Sequence, residues 1–313
     1  MKKVSLWKLA ALLGGLVVIF ISLKLFRSPG LETNLPASLA KFDSAHVTEL
    51  VIMPARTPGE EIHLVRAGNW MLVSNGKTLR LDQGAGVNAL RQLMGLKPER
   101  IVSKKKEKWD EFGVGDSTGT RVRVMVGADV EAELVIGKTA YNQMAGQRYG
   151  GSTYSFVRMG DATDVYTVEG FLDAQFNRAT DDWRDKSLIR IRKDSIDRIS
   201  FRYPADSSFV LEKNQGRWMI GNQPADSAKV AAYISGIEYK NGTSFAAAAP
   251  SGEPFARITF QKGTQVKGTL EAWQTIAGTW FLRSSLQTET FFATDPTTGK
   301  GMFAGSENFL RKP

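Results

Sequence analysis

Short apolar runs alternate with turn-forming residues along most of this chain, and the order of the runs occurs twice. Residues 47–52 are mostly apolar and β-branched, and residues 62–65 form a second short run. Ala67-Gly68-Asn69 then turns the chain into an apolar stretch over 70–73. Asn75-Gly76 is a strong two-residue hairpin signal, because both positions tolerate the positive φ that such a turn needs; it leads into residues 78–81. Asp82 is placed to cap a helix, and Val87, Leu90, Leu93 and Met94 fall on one face of the helix predicted after it, which Pro98 stops.

The same grammar returns later. Residues 196–201 and 209–211 read as strands, Gln215-Gly216-Arg217 as the turn, and 218–220 as the next strand. Asp226 stands where Asp82 stood, with Val230, Tyr233, Ile234 and Ile237 as the apolar helix face and Phe245 closing the segment as Ile101 does. The offset is 148 at Gly68/Gly216 and Trp70/Trp218, and 144 at Asp82/Asp226, Leu90/Ile234 and Leu93/Ile237. The second halves match more loosely: 121–124 with 257–260, 133–135 with 269–271, 154–158 with 279–283, and 165–167 with 291–293. Each copy is therefore predicted as three strands, a helix and about four further strands. That pattern defines an α+β module dominated by antiparallel pairing, with one or two helices. The first copy carries extra material, the basic stretch 103–118 and a Gly/Tyr/Gln-rich loop at 139–151.

Ahead of the modules, residues 9–23 form an uncharged apolar run of 15 residues, extendable to 4–26 if Lys8 and Lys24 snorkel toward the headgroups. A cleaved signal peptide is the rival reading, but small-residue pairs such as Ser38-Leu39-Ala40 lie far past the run, which favours an uncleaved anchor. The expected organisation is an N-terminal transmembrane helix within an anchor over 1–27, a tether over 28–46, a first module over 47–186 and its repeat over 187–313. Basic residues stand on both sides of the run, with more before it, a bias toward the N-terminus inside. That orientation places the modules on the extracytoplasmic, periplasmic face of a bacterial cytoplasmic membrane as a single-pass protein.

Charge changes this picture little once it is divided. Lys2, Lys3, Lys8, Lys24 and Arg27 supply five positives in the first 27 residues, with no acid among them. Removing those five from the 41 basic residues leaves 36 against 32 acidic ones, so most of the net +9 belongs to the anchor. With that balance and no aromatics interleaved with the basic residues, nucleic acid is not an expected partner. Cysteine is absent, which excludes disulfides, thiolate catalysis, cysteine-ligated metals and a lipid-modified cysteine.

No catalytic constellation stands out, and no cofactor is expected. Gly115-Asp116-Ser117-Thr118-Gly119 has the spacing of a nucleophile elbow, but its serine precedes a predicted strand and both histidines, His46 and His63, lie upstream, so a turn is the better reading. Gly137-Lys138-Thr139 lacks the first glycine of a phosphate loop, since position 132 is Ala132, and reads as a strand end. Lys104, Lys105, Lys106 and Lys108 form the densest basic patch outside the anchor and are candidates for contact with a partner or with lipid headgroups. Trp273 and Trp280 have no counterpart tryptophan in the first copy, which makes them candidate surface aromatics against a more ordinary core role. Trp183, Arg184, Asp185 and Lys186 lie at the junction of the two modules and read as its hinge, with Asp181 and Asp182 completing an interleaved charge cluster.

With the repeat, the anchor and the motifs Trp109-Asp110-Glu111-Phe112-Gly113-Val114 and Trp183-Arg184-Asp185-Lys186-Ser187-Leu188 side by side, the chain resembles the bacterial family catalogued as domain of unknown function 4340, over most of residues 47–250. The resemblance implies a membrane-anchored, outward-facing protein often encoded beside subunits of gliding-type ABC transporters. It implies no reaction and no binding residues. The expected function is a non-enzymatic, membrane-anchored accessory or scaffold of an envelope assembly, whose partners are integral membrane proteins of ABC-transporter type and, through residues 4–26, the lipid bilayer. An extracytoplasmic glycan- or polymer-binding module is the alternative, and an extracytoplasmic hydrolase stands behind both.

Overall fold

The computed structural model describes residues 35–143, 151–275 and 278–311. The expected transmembrane helix over 4–26 lies outside the described residues, and among those described no helix is long and apolar enough to cross a membrane. Contacts divide the chain into two compact units: residues up to 63 with 88–178, and residues 64–87 with 179–313.

The predicted repeat is visible in the strand order. Strands β1 (Glu49–Met53), β2 (Ile62–Ala67), β3 (Asn69–Ser74), β4 (Lys77–Leu79), β5 (Pro98–Ser103), β6 (Thr120–Val126), β7 (Asp129–Gln143), β8 (Gly151–Met159) and β9 (Val165–Glu169) form a nine-stranded sheet of order β4-β3-β2-β1-β6-β7-β8-β9-β5. Strands β10 (Arg198–Arg202), β11 (Phe209–Asn214), β12 (Arg217–Ile220), β13 (Gln223–Pro224), β14 (Ser244–Phe245), β15 (Ala256–Lys262), β16 (Gln265–Gln274), β17 (Trp280–Ser284) and β18 (Gln287–Thr294) form the second, of order β13-β12-β11-β10-β15-β16-β17-β18-β14. Adding nine to each label of the first order yields the second. Pairing is antiparallel in β1/β6, where Val51 faces Arg123, and in β10/β15, where Ser200 faces Thr259.

Turn chemistry sets the hairpins. Asn75 and Gly76 have φ of 49° and 70°, and Gln215 and Gly216 have 48° and 84°. Two consecutive positive values make the turn whose twist suits paired strands, and glycine at the second position adopts it without a Cβ penalty.

Each repeat has a long Asp-capped helix, α1 (Gln83–Met94) in the first and Ser227–Ile237 in the second. Asp82 Oδ1 accepts from the Gly84 N–H at 2.8 Å, and Asp226 Oδ1 from the Ala228 N–H at 2.9 Å. The second helix buries Val230, Ile234 and Ile237, with Tyr233 packed against the same core, as its periodicity predicts. The first turns differently: Val87 and Met94 are exposed, while Gly86, Ala89, Leu90 and Leu93 are buried. The cause lies in Gly86, where an added Cβ would stand 3.1 Å from Leu81 and 3.2 Å from the Trp70 ring. The helix approaches closest along its small residues, and that contact swings the larger apolar side chains at 87 and 94 outward.

Both repeats end alike. A short helix, α2 (Trp109–Phe112), lies within the 103–118 stretch, and α3 (Leu172–Phe176) is followed by a 3-10 turn at Thr180–Asp182 and then Trp183. With the helix Ser227–Ile237 as α4, the second repeat has α5 (Pro296–Met302), a 3-10 turn at Ser306–Asn308 and then Phe309. Trp183 is fully buried, and Phe309 is buried as well. A single antiparallel bridge joins Leu81 to Arg184 and another joins Ala225 to Leu310. Thr180-Asp181-Asp182-Trp183-Arg184 and Ser306-Glu307-Asn308-Phe309-Leu310 are thus corresponding segments at an offset of 126.

Two expectations about irregular segments change. Within the stretch expected as a tether, Leu39 and Ala40 are buried and the Leu39 N–H donates to the Leu96 carbonyl at 3.0 Å, so the packed chain begins before residue 47. Of the stretch expected as a loop over 139–151, the described residues are paired strand: Thr139–Gln143 belong to β7 and pair with β8, Tyr141 facing Thr153 and Gln143 facing Gly151, while residues 144–150 lie outside the described residues.

Candidate functional site

An open groove of about 970 Å³ lies in the second compact unit, between residues of β3, β4 and the start of α1 and the segment 182–190. Its walls are charged. Arg80 Nε lies 2.8 Å from an Asp185 carboxylate oxygen, and Lys186 Nζ 3.8 Å from Asp182. Arg184 donates to Asp181 at 2.9 Å while its guanidinium stacks 3.4 Å above the Phe245 ring. Arg190 donates to the Lys240 carbonyl at 2.9 Å and to the Asn241 side chain. Cations and carboxylates alternate and satisfy one another, so the groove offers a mixed-charge surface with no concentration of one sign.

Of the residues expected as a hinge, Arg184, Asp185 and Lys186 line this groove while Trp183 is buried, and the segment is fastened in place. The Asp82 N–H donates to the Trp183 carbonyl at 2.9 Å, the Asp185 N–H to the Arg80 carbonyl at 2.8 Å, and Gln287 Nε2 to the carbonyls of Asp185 and Ser187 at 2.9 and 2.8 Å. Asp181, Asp182 and Asp185 are each committed to a cation rather than to one another.

A second polar arrangement lies within the first unit, where the extra stretch of the first copy packs on the sheet. Trp109 is buried with Val114, Val135 and Val165 as a small separate core. Arg158, whose side chain is fully buried, stacks 3.8 Å over the Trp109 ring. Its guanidinium donates to the Val114 carbonyl at 2.7 Å, to the Gly160 carbonyl, and to Asp116 at 2.6 Å. Burial pulls this guanidinium below its ordinary pKa, and the Asp116 charge opposes that shift. Beside it Glu133 accepts from Arg121 and from Arg123, the latter at 2.7 Å; burial raises the Glu133 pKa, but the two guanidiniums outweigh it and the net shift is downward. In the second copy Glu271 accepts from Arg257 at 2.6 Å and from Arg283 at 2.7 Å.

Lys104, Lys105, Lys106 and Lys108 are all exposed, with Lys106 Nζ 5.0 Å from the Trp109 ring centre and Lys108 3.4 Å from Glu111. Trp273 and Trp280 do not lie on the surface: they are 6% and 5% exposed. Trp280 belongs to the core, edge-on to Phe255 at 5.0 Å and beneath Gly299, where a Cβ would come within 2.4 Å of the ring. Trp273 sits on the opposite side of its strand, beside Glu271; its Nε1 donates to the Gly252 carbonyl at 2.9 Å and Arg283 stacks over it at 5.0 Å. Ser117 is an exposed turn residue directly before β6, as the turn reading expects, and Lys138 and Thr139 lie within β7. His63 bonds Glu49 at 2.6 Å and His46 pairs with Asp43 at 3.0 Å. Among the described residues no group of three or more His, Asp or Glu side chains converges as a metal site.

The groove and the Trp109–Arg158 arrangement were not singled out in the sequence as sites. Arg80 and Asp185 are far apart along the chain, and no local pattern marks their meeting.

Two nine-stranded antiparallel sheets of one strand order, each with an Asp-capped helix and an aromatic-terminated tail, define a duplicated, β-rich α+β protein. The model of the family described as Domain of unknown function (DUF4340) matches residues 70–252, more than half of the chain, and the chain belongs to that family. Neither a curated protein nor a solved structure matches it.

Proposed function

We propose that this protein is a membrane-anchored, extracytoplasmic accessory or scaffold subunit that works by contact within an envelope assembly, with integral membrane proteins of ABC-transporter type as its partners. The observation that carries this reading is the duplication of an entire nine-stranded sheet with its strand order intact. A duplicated sheet offers like surfaces to one partner or to two. The polar surfaces described are arrays of mutually paired charges, Arg80 with Asp185 and Glu271 with Arg257 and Arg283, which favour specific contact with another polar surface over capture of a small apolar ligand. Residues 4–26 supply the membrane attachment in this reading.

The test is co-purification in mild detergent from the native membrane, with the full-length chain beside a version lacking residues 1–27. Transporter subunits retained by the full-length chain support the reading, and the truncated version then assigns the contact to the anchor or to the sheets. A full-length chain that brings down no membrane protein above background removes its support. The glycan-binding alternative, which drew on the tryptophan content and the stretch 139–151, loses Trp273 and Trp280 as surface aromatics, because both are buried.

A further inference from the structure

We infer that the β5 edge of the first sheet rests on anionic lipid headgroups of the membrane that anchors the chain. The inference rests on the membrane-anchored reading above and adds to it a second, electrostatic contact. β5 is the last strand of its sheet, so among the described residues one of its edges has no strand beside it. Within residues 97–108, which contain this strand and the turn after it, there are six basic side chains, Lys97, Arg100, Lys104, Lys105, Lys106 and Lys108, against two acidic ones, Glu99 and Glu107. All four lysines of the turn are exposed, as is Arg100.

The chain enters its folded part at the same place. Leu39 and Ala40 are buried, the Leu39 N–H donates to the Leu96 carbonyl at 3.0 Å, and the Ser38 hydroxyl donates to the Ala40 carbonyl at 2.8 Å. Leu96 immediately precedes Lys97. Twelve residues, 27–38, lie between position 26, the end of the extended apolar span, and Leu39, and their thirteen Cα steps at ~3.5 Å each reach at most about 45 Å. In this reading the segment that ties the fold to the bilayer is therefore clamped at the start of the basic edge, and its reach keeps that edge close enough to meet the headgroups. Clustered lysines beside a membrane attachment are drawn to acidic lipid within a Debye length of the surface, in proportion to its charge and against added salt.

Because the sequence has no cysteine, Glu107→Cys creates a unique labelling position amid the lysines. The full-length chain carrying a fluorophore there is reconstituted into nanodiscs of phosphatidylcholine alone or with one third phosphatidylglycerol, each with a headgroup-borne quencher. The expected result is quenching at least threefold greater in the anionic discs, falling to the neutral value in high salt and when Lys104, Lys105, Lys106 and Lys108 are replaced by Gln. Equal quenching in both lipids overturns the inference. So does a lysine-to-glutamine variant that self-associates with its lipid response unchanged, which assigns the charges to keeping the sheet edge from pairing with other chains. The salt series on the parent chain keeps the test decisive if that variant misfolds. Flotation of the discs separates the two readings: a chain that does not insert overturns the anchor and the edge contact together, whereas one that inserts without charge-dependent quenching overturns only the edge contact.

Discussion

The backbone N–H of Asp82 donates to the carbonyl of Trp183 at 2.9 Å, and the second repeat copies this bond between Asp226 and Phe309 at 2.7 Å. The residue that caps each helix thus also receives the end of its own repeat, and the aromatic side chain delivered there is buried. Tyr203 and Tyr233 hold the same region of the second repeat, donating to the carbonyls of Ala304 and Met302 at 2.9 and 2.8 Å. Burial pushes both phenols well above the usual tyrosine range, so they remain protonated donors.

Removing either closing aromatic is expected to be among the most damaging single changes. Trp183→Ala and Phe309→Ala should each lower unfolding stability by about 3–5 kcal/mol, the range for emptying a buried aromatic site. Asp82→Ala and Asp226→Ala, which remove only the side-chain cap and leave the backbone bond, should cost about 1 kcal/mol each. Urea denaturation followed by tryptophan fluorescence and far-UV circular dichroism measures all four; aromatic losses no larger than the cap losses would contradict the closing role.

For Arg158 and Asp116 the expected effects are unequal. Arg158→Ala removes a buried cation from over Trp109 and leaves the Val114 and Gly160 carbonyls without their donor, at about 3 kcal/mol. Asp116 is 62% exposed, and its loss leaves the guanidinium both carbonyl partners, so Asp116→Ala should cost about 1 kcal/mol. Thermal unfolding that ranks the two in the opposite order would count against this account.

Glu133 should add a pH-dependent increment to stability. Its folded pKa is depressed below the ordinary 4.5, so the increment is fully present above that value and is lost as pH falls through the lower folded value. At neutral pH Glu133→Gln is expected to cost about 1 kcal/mol. Parallel denaturation curves of the two proteins should stay separated down to about the ordinary value of 4.5 and converge below it. A gap that widened on acidification would invert the assigned sign.

Trp273→Ala should act on stability and not on polymer retention. The ring is enclosed by Phe291, at 5.3 Å, by Arg283 and by its bond to Gly252. The expected loss is about 3 kcal/mol. Retention on cell-wall material that disappears in the variant while its unfolding midpoint stays put would restore the glycan-binding alternative.

What the sequence exposed and what it hid have physical causes. The hairpin at Asn75-Gly76 and the caps at Asp82 and Asp226 were legible because the determining chemistry is local, a positive φ or a side chain reaching two residues onward. The α1 face was misread at Val87 and Met94 because a glycine drew the helix toward Trp70, and periodicity registers large apolar residues rather than the small ones that allow close approach. The correspondence of Trp183 with Phe309 was hidden by its offset of 126, which differs from those of the helices because the first copy carries the Trp109 stretch and a longer β7–β8 hairpin. The groove was illegible for a different reason: Arg80 and Asp185, far apart along the chain, are brought together by long-range backbone contacts, the Leu81–Arg184 bridge and the Asp185 N–H bond to the Arg80 carbonyl.

The central claim is contact with membrane proteins outside the cytoplasm, and a membrane-impermeant amine-reactive cross-linker applied to intact spheroplasts tests it most directly. The chain's exposed lysines, Lys104 to Lys106 among them, are reactive only from the side on which the folded part stands. The account predicts an adduct that forms without cell lysis and contains an integral membrane protein of transporter type. An adduct that forms only after lysis, or one made solely with cytoplasmic proteins, would contradict it.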